Sequence, residues 1–84
     1  MHTLEYKPSF YKDLEKTVKD KLIRKQIISK TLEMENRAPL GKKLENCPYW
    51  SIHINKFRVV YEIEENTVTF LRVLPRKKQY RELK

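Results

Sequence analysis

The fold is decided by residues 50–75, WSIHINKFRVVYEIEENTVTFLRVLP, in which apolar and polar residues alternate. A period of two is typical of β-strands that bury one face. The dipeptides Asn55-Lys56 and Glu65-Asn66 interrupt the alternation, so they predict tight hairpin turns. Neither turn contains glycine, which leaves the turn types open. The stretch therefore predicts three antiparallel strands, the last of which ends at Pro75.

The segments before this stretch predict one strand and two helices. Residues 3–7 alternate like a short edge strand, and residues 8–16 carry apolar side chains at helical spacing. Asp20 is a suitable N-cap for a second helix over residues 21–36, which has a broad apolar stripe. Residues 37–48 contain proline and glycine and predict a loop.

These elements give an α+β fold with the order β-α-α-β-β-β and a basic tail over residues 76–84. We expect an antiparallel sheet packed on a helical hairpin, with one sheet face against the helices. We see no repeat or linker in the sequence, so residues 1–84 are predicted to form a single domain.

Composition excludes several classes of protein. One glycine in 84 residues is too few for a glycine-rich phosphate loop, and one cysteine excludes a disulfide framework or a zinc finger. We see no signal peptide and no uncharged run long enough to span a bilayer, so a reduced, soluble, cytoplasmic protein is expected. The net charge of +8 favours an anionic partner such as nucleic acid, an acidic protein or a membrane surface.

A two-residue loop at Asn55-Lys56 would pair Ile54 with Phe57 and His53 with Arg58. The core face then takes Trp50, Ile52, Ile54, Phe57, Val59, Tyr61 and Ile63. The opposite face takes Ser51, His53, Arg58 and Val60.

A similar loop at Glu65-Asn66 would place Arg58 opposite Val73 and bring Arg76 near it. Arg72 fits this scheme badly because it falls on the core face. Either it lies at the sheet rim or the register differs there.

Arginines, a histidine and a basic tail around one face suit a phosphodiester backbone, since arginine binds phosphate oxygens in a bidentate manner. RNA carries its own nucleophile, the 2′-OH, so cleavage needs a base, an acid and cations around the phosphorane. His53 is the candidate proton carrier, and Tyr80 could carry a proton or stack on a base. This chemistry needs no metal or cofactor, and the sequence contains no metal-ligand cluster.

The order of elements resembles that of the RelE/ParE toxin superfamily. So do Lys43-Leu44, the strand FRVVYEI at 57–63 and the ending LRVLPRKKQY at 71–80. RelE-like members are toxins that cut mRNA in the ribosomal A site. ParE-like members share the fold but poison DNA gyrase.

The resemblance implies that Arg58 binds the scissile phosphate, Arg76 stabilises the transition state, and Tyr80 stacks on a base or handles a proton. His53 and Ser51 fall where some RelE-like toxins carry lysines. Without the resemblance, the sequence favours Arg58 as a solvated strand residue paired with Glu62 over a functional residue. Further RNA contacts are expected from the basic residues Lys43, Lys56, Lys77, Lys78 and Arg81.

The resemblance thus predicts a ribosome-dependent mRNA endoribonuclease, neutralised by an acidic, RelB-like antitoxin. Two alternatives stay open. One is a ParE-like gyrase inhibitor without enzymatic activity, and the other is an RNA- or ribosome-binding module with a degenerate site.

Overall fold

The computed structural model describes residues 1–39, 41–44 and 48–75. These residues form strands and helices in the order β1 (Thr3–Tyr6), α1 (Pro8–Lys16), α2 (Lys21–Arg37), β2 (Lys42–Lys43), β3 (Trp50–Ile54), β4 (Phe57–Glu64) and β5 (Thr67–Pro75). The predicted strands and helices are confirmed to within about two residues at each end. The strand β2 was not predicted, because residues 37–48 were interpreted as a loop. No helix among the described residues combines the length and apolar character needed to cross a bilayer.

The strands form one sheet in the order β1-β5-β4-β3-β2. Neighbours from β2 to β5 are antiparallel, as predicted for the last three strands. The prediction of a wholly antiparallel sheet is wrong at one edge, where β1 runs parallel to β5. Both helices and three strands separate β1 from β5, and such a long connection permits parallel pairing where a hairpin would not.

Both helices bury an apolar side against the sheet. Pro8 occupies the first turn of α1, where its missing N–H is not needed. The Asp20 carboxylate caps α2 as predicted, accepting hydrogen bonds from Leu22 N at 2.8 Å and Ile23 N at 3.3 Å. The core combines Phe10, Val18, Ile27 and Met34 with Ile52, Ile54, Val59, Tyr61, Val68, Phe70 and Val73. The predicted core face of the sheet is therefore confirmed, with Trp50, Phe57 and Ile63 partly buried at its margins.

The helix α1 continues the edge of the sheet beyond β1. Ser9 Oγ donates a hydrogen bond to Leu71 O at 2.6 Å. The Asp13 carboxylate accepts one from Val73 N at 3.0 Å and one from Arg72 Nε at 2.6 Å. Backbone groups of β5 that β1 does not reach are thus satisfied by side chains of α1.

The register of β4 and β5 differs from the prediction by one residue. Tyr61 pairs with Phe70 but Val60 pairs with Arg72, so Leu71 is an extra residue in β5. This β-bulge moves Arg72 off the core face, towards Asp13. It also places Leu74, and not Val73, opposite Arg58. The predicted opposition of Arg58 and Val73 is therefore wrong.

Candidate functional site

The β3–β4 hairpin brings the two central candidate residues together. The Cα partners are Ile54 with Phe57 and His53 with Arg58, as the two-residue loop predicted. Asn55, the first loop residue, has a φ of 59°, a left-handed conformation that asparagine tolerates better than most residues. Side chains of directly opposed residues leave an antiparallel pair on the same face, with Cβ atoms about 4.5–5.5 Å apart.

A cleft of about 510 Å³ opens on this face of the sheet. It is lined by Gly41, Lys42, Lys43, Leu44, Ser51, His53 and Arg58. Three of these residues were predicted to share the face opposite the core, and Lys43 was predicted to contact RNA. The contribution of Gly41 and Leu44 to the cleft wall was not predicted.

The wall depends on the single glycine of the chain. Gly41 has a φ of +87°, and a Cβ at this position would lie 2.1 Å from Ser51 O and 3.0 Å from Ile52 Cα. Only glycine allows the chain to approach β3 so closely. Leu44 N then donates a hydrogen bond to Tyr49 O at 2.8 Å, which joins the end of this segment to the residue before β3. The sequence signal was the occurrence of the only glycine two residues after Pro39.

The cleft residues differ in their exposure to solvent. Ser51 is buried, Arg58 is half-buried, and His53, Lys42 and Lys43 are exposed. The face is less open than the sequence suggested, because Val60 is fully buried and Leu74 is 3% exposed. Because Val60 and Leu74 exclude water beside the half-buried Arg58, the attraction between its guanidinium and an anion is screened less than at an exposed site.

The cleft therefore collects two lysines, an arginine and an imidazole around one cavity. Guanidinium and ammonium groups bind phosphate oxygens, and an imidazole can accept or donate a proton near neutral pH. Lys56 is exposed in the hairpin loop below these residues. Among the described residues, no group of three His, Cys, Asp or Glu side chains is placed to hold a metal ion.

The remaining candidates lie outside the described residues. They are Arg76, Lys77, Lys78, Tyr80 and Arg81. The last described residue, Pro75, pairs with Phe57 at the start of β4. Arg76 follows it directly in the sequence.

Residues 4–80 match the model of a protein family described as the ParE toxin of the type II toxin–antitoxin system parDE. A search of curated proteins gave no match.

Several solved structures share the fold. The isolated E. coli RelE toxin superposes with a TM-score of 0.75 at 22% identity, covering 99% of this chain and 95% of that one. A RelB–RelE antitoxin–toxin complex from Methanococcus jannaschii superposes with a TM-score of 0.73 at 29% identity, covering 87% of this chain and 91% of that one. The chromosomal ParDE system of P. aeruginosa superposes with a TM-score of 0.71 at 12% identity, covering 89% of this chain and 96% of that one.

Proposed function

The chain belongs to the RelE/ParE superfamily of toxins of type II toxin–antitoxin systems, and we propose that it is a RelE-type endoribonuclease that cuts translated mRNA. The observation that carries this proposal is the pairing of His53 with Arg58 on the wall of a basic cleft. Such a cleft holds both a proton carrier and a phosphate-binding group.

The proposed reaction uses the nucleophile that RNA supplies. The 2′-oxygen attacks the adjacent phosphorus as its proton passes to the His53 imidazole. The bond to the 5′-oxygen of the next nucleotide then breaks. The products are a 2′,3′-cyclic phosphate and a 5′-hydroxyl, whose proton comes from a general acid.

Cationic side chains stabilise the charge that develops on the phosphorane. Arg58 is half-buried in the cleft, so its interaction with an equatorial oxygen is less screened than at an exposed site. We assign a second cation to Arg76 and the general acid or a base-stacking group to Tyr80. Lys42 and Lys43 attract the RNA backbone from the exposed side of the cleft.

Two macromolecular partners follow from this proposal. The ribosome supplies mRNA in a fixed geometry, which lowers the entropic cost of reaching the transition state. A cognate antitoxin, acidic in character, neutralises the toxin in the cytoplasm. Related toxins have been solved in complex with RelB in E. coli and in Methanococcus jannaschii, and a net charge of +8 suits an acidic partner.

The proposal is tested by expressing the chain from an inducible promoter and mapping mRNA 5′ ends in translating cells. Cuts within translated codons are expected for the wild type and are expected to vanish in Arg76→Ala. Arg37→Ala is the matched control, since Arg37 is an exposed arginine on α2 that pairs with Glu33. Unchanged cutting in Arg76→Ala would overturn the role of this residue.

A second candidate function is inhibition of DNA gyrase without enzymatic activity. The family model that matches the chain is a ParE model, and a ParDE toxin shares the fold with a TM-score of 0.71. This alternative predicts growth arrest and DNA-damage signalling while mRNA stays intact. The same induction experiment separates the two functions.

A further inference from the structure

Five exposed lysines surround the connection between α1 and α2. We call them the hairpin lysines: Lys12, Lys16, Lys19, Lys21 and Lys25. The helices pack on the core face of the sheet through residues such as Phe10 and Ile27. The cleft opens on the opposite face. The hairpin lysines thus form a basic surface separate from the cleft.

The positive charge of this surface is poorly compensated. The Asp13 carboxylate is engaged by Arg72 and Val73 N, and that of Asp20 by the first amides of α2. Glu15 is the remaining carboxylate in the segment 12–25. The ion pairs found among the described residues join Lys30 and Arg37 to Glu33 and Arg72 to Asp13, so they leave the hairpin lysines unpaired.

The connection between the two helices is well fixed. The Asp20 carboxylate caps the positive end of α2, so it is already engaged where Lys21 begins the helix. Arg24 Nε donates to Val18 O at 2.6 Å, and Arg24 Nη2 donates to Glu15 O at 3.0 Å. The backbone that carries the hairpin lysines is therefore held in one arrangement.

We propose that the hairpin lysines form a second RNA-binding surface that contacts the phosphate backbone of a structured RNA. Lysine is depleted at protein–protein interfaces, whereas backbone contacts from lysine are typical of sequence-independent nucleic-acid binding. Spread over two helices around a fixed turn, five point charges match a repeating phosphate chain better than a compact peptide epitope. This inference goes beyond the proposed cleavage and does not depend on it.

The test measures binding of the full chain to a short 2′-O-methyl RNA hairpin as a function of salt concentration. This RNA lacks the 2′-OH nucleophile and cannot be cut by the proposed reaction, so the result is independent of catalysis. The test variant is Lys16→Gln/Lys25→Gln, with one change in each helix. The control is Lys7→Gln/Arg37→Gln, which removes the same charge at two exposed positions outside the segment 12–25. Circular dichroism checks that both variants fold.

Loss of two phosphate contacts should reduce the slope of log affinity against log salt by about 2 in the test variant. Its affinity at low salt should fall by about tenfold, with a much smaller effect in the control. Equal losses in both variants would mean that only net charge matters and would overturn the proposal. Unchanged RNA binding in the test variant would also overturn it. If that variant instead lost binding to anionic phosphatidylserine vesicles, the surface would be assigned to membranes.

Discussion

The two ends of the sheet are built very differently. At the β1–β5 end, Tyr6 stacks on Phe70 with ring centroids 4.9 Å apart, and Phe10 lies 6.0 Å from Phe70. The helix α1 then covers the rest of the β5 edge through Ser9 and Asp13. At the other end, β2 consists of two exposed lysines that depend on the close approach of Gly41 to β3.

The residues that stabilise the β1–β5 end of the sheet are therefore different from those proposed to bind and cut RNA at the β2–β3 end. The aromatic cluster and the Asp13 contacts stabilise the β1–β5 end of the sheet, whereas the cleft at the other end is lined mainly by polar and charged side chains. Charged side chains can therefore gather at β2 and β3 without disturbing the core. The arrangement predicts that substitutions at the two ends have separable effects on unfolding and on activity.

The largest expected effect is at the aromatic cluster. Phe10 is fully buried, so Phe10→Ala should lower the free energy of unfolding by about 3–5 kcal/mol, measured by urea denaturation. Tyr11→Ala, at a residue that is 53% exposed, should lower the free energy of unfolding much less. If Phe10→Ala does not fold, Phe10→Leu should still shift the midpoint measurably. Equal costs at Phe10 and Tyr11 would contradict the location of the core.

The next effect is at the edge covered by α1. Asp13→Ala removes the acceptor for Arg72 and Val73 N, and should lower the free energy of unfolding by about 2–3 kcal/mol. Glu15→Ala, an exposed change on the same helix, should have an effect within about 0.5 kcal/mol. A negligible effect of Asp13→Ala in urea denaturation would show that α1 does not hold this edge.

A smaller effect on stability but a large one on the cleft is expected at Gly41. A Cβ there would overlap Ser51 O, so Gly41→Ala should displace β2 and lower RNA cleavage. The free energy of unfolding should fall by less than about 2 kcal/mol, since only a short edge segment is strained. Hydrogen exchange should show faster exchange of the Leu44 amide, which normally donates to Tyr49 O. Full protection of that amide in the variant would be inconsistent with this role of Gly41.

The smallest effect is expected in the β4–β5 turn. Glu65 has a φ of 55°, which is unfavourable for a residue with a Cβ. Glu65→Gly should raise the free energy of unfolding by about 0.5–1 kcal/mol. The matched change Asn55→Gly should raise the free energy of unfolding by a smaller amount, because asparagine already tolerates this conformation. Thermal denaturation of both variants measures the difference, and a loss of stability in Glu65→Gly would contradict the expected strain.

The sequence predicted those parts of the molecule that depend on local periodicity. Alternation in residues 50–75 predicted the last three strands and the pairing of His53 with Arg58, because a two-residue loop fixes the register. The N-cap at Asp20 could also be predicted, because it depends on a hydrogen bond to an amide two residues away.

The remaining features depend on contacts between distant segments. The position of Arg72 on the predicted core face indicated an irregular register, but not where the bulge lies. The bulge at Leu71 accompanies the contact of Arg72 with Asp13, 59 residues away. The parallel pairing of β1 depends on the crossover through both helices. The strand β2 is only two residues long, which is too short for any periodic signal.

The catalytic role of the cleft is tested by comparing Arg58→Gln with the wild type in two measurements on the same preparation. One is the rate of mRNA cleavage on programmed ribosomes, and the other is the free energy of unfolding. If Arg58 binds the scissile phosphate, cleavage should slow by about 10²–10³-fold while the free energy of unfolding changes by less than about 1 kcal/mol. Cleavage at the wild-type rate, or a loss of activity that only follows unfolding, would contradict the assignment of the cleft as the catalytic site.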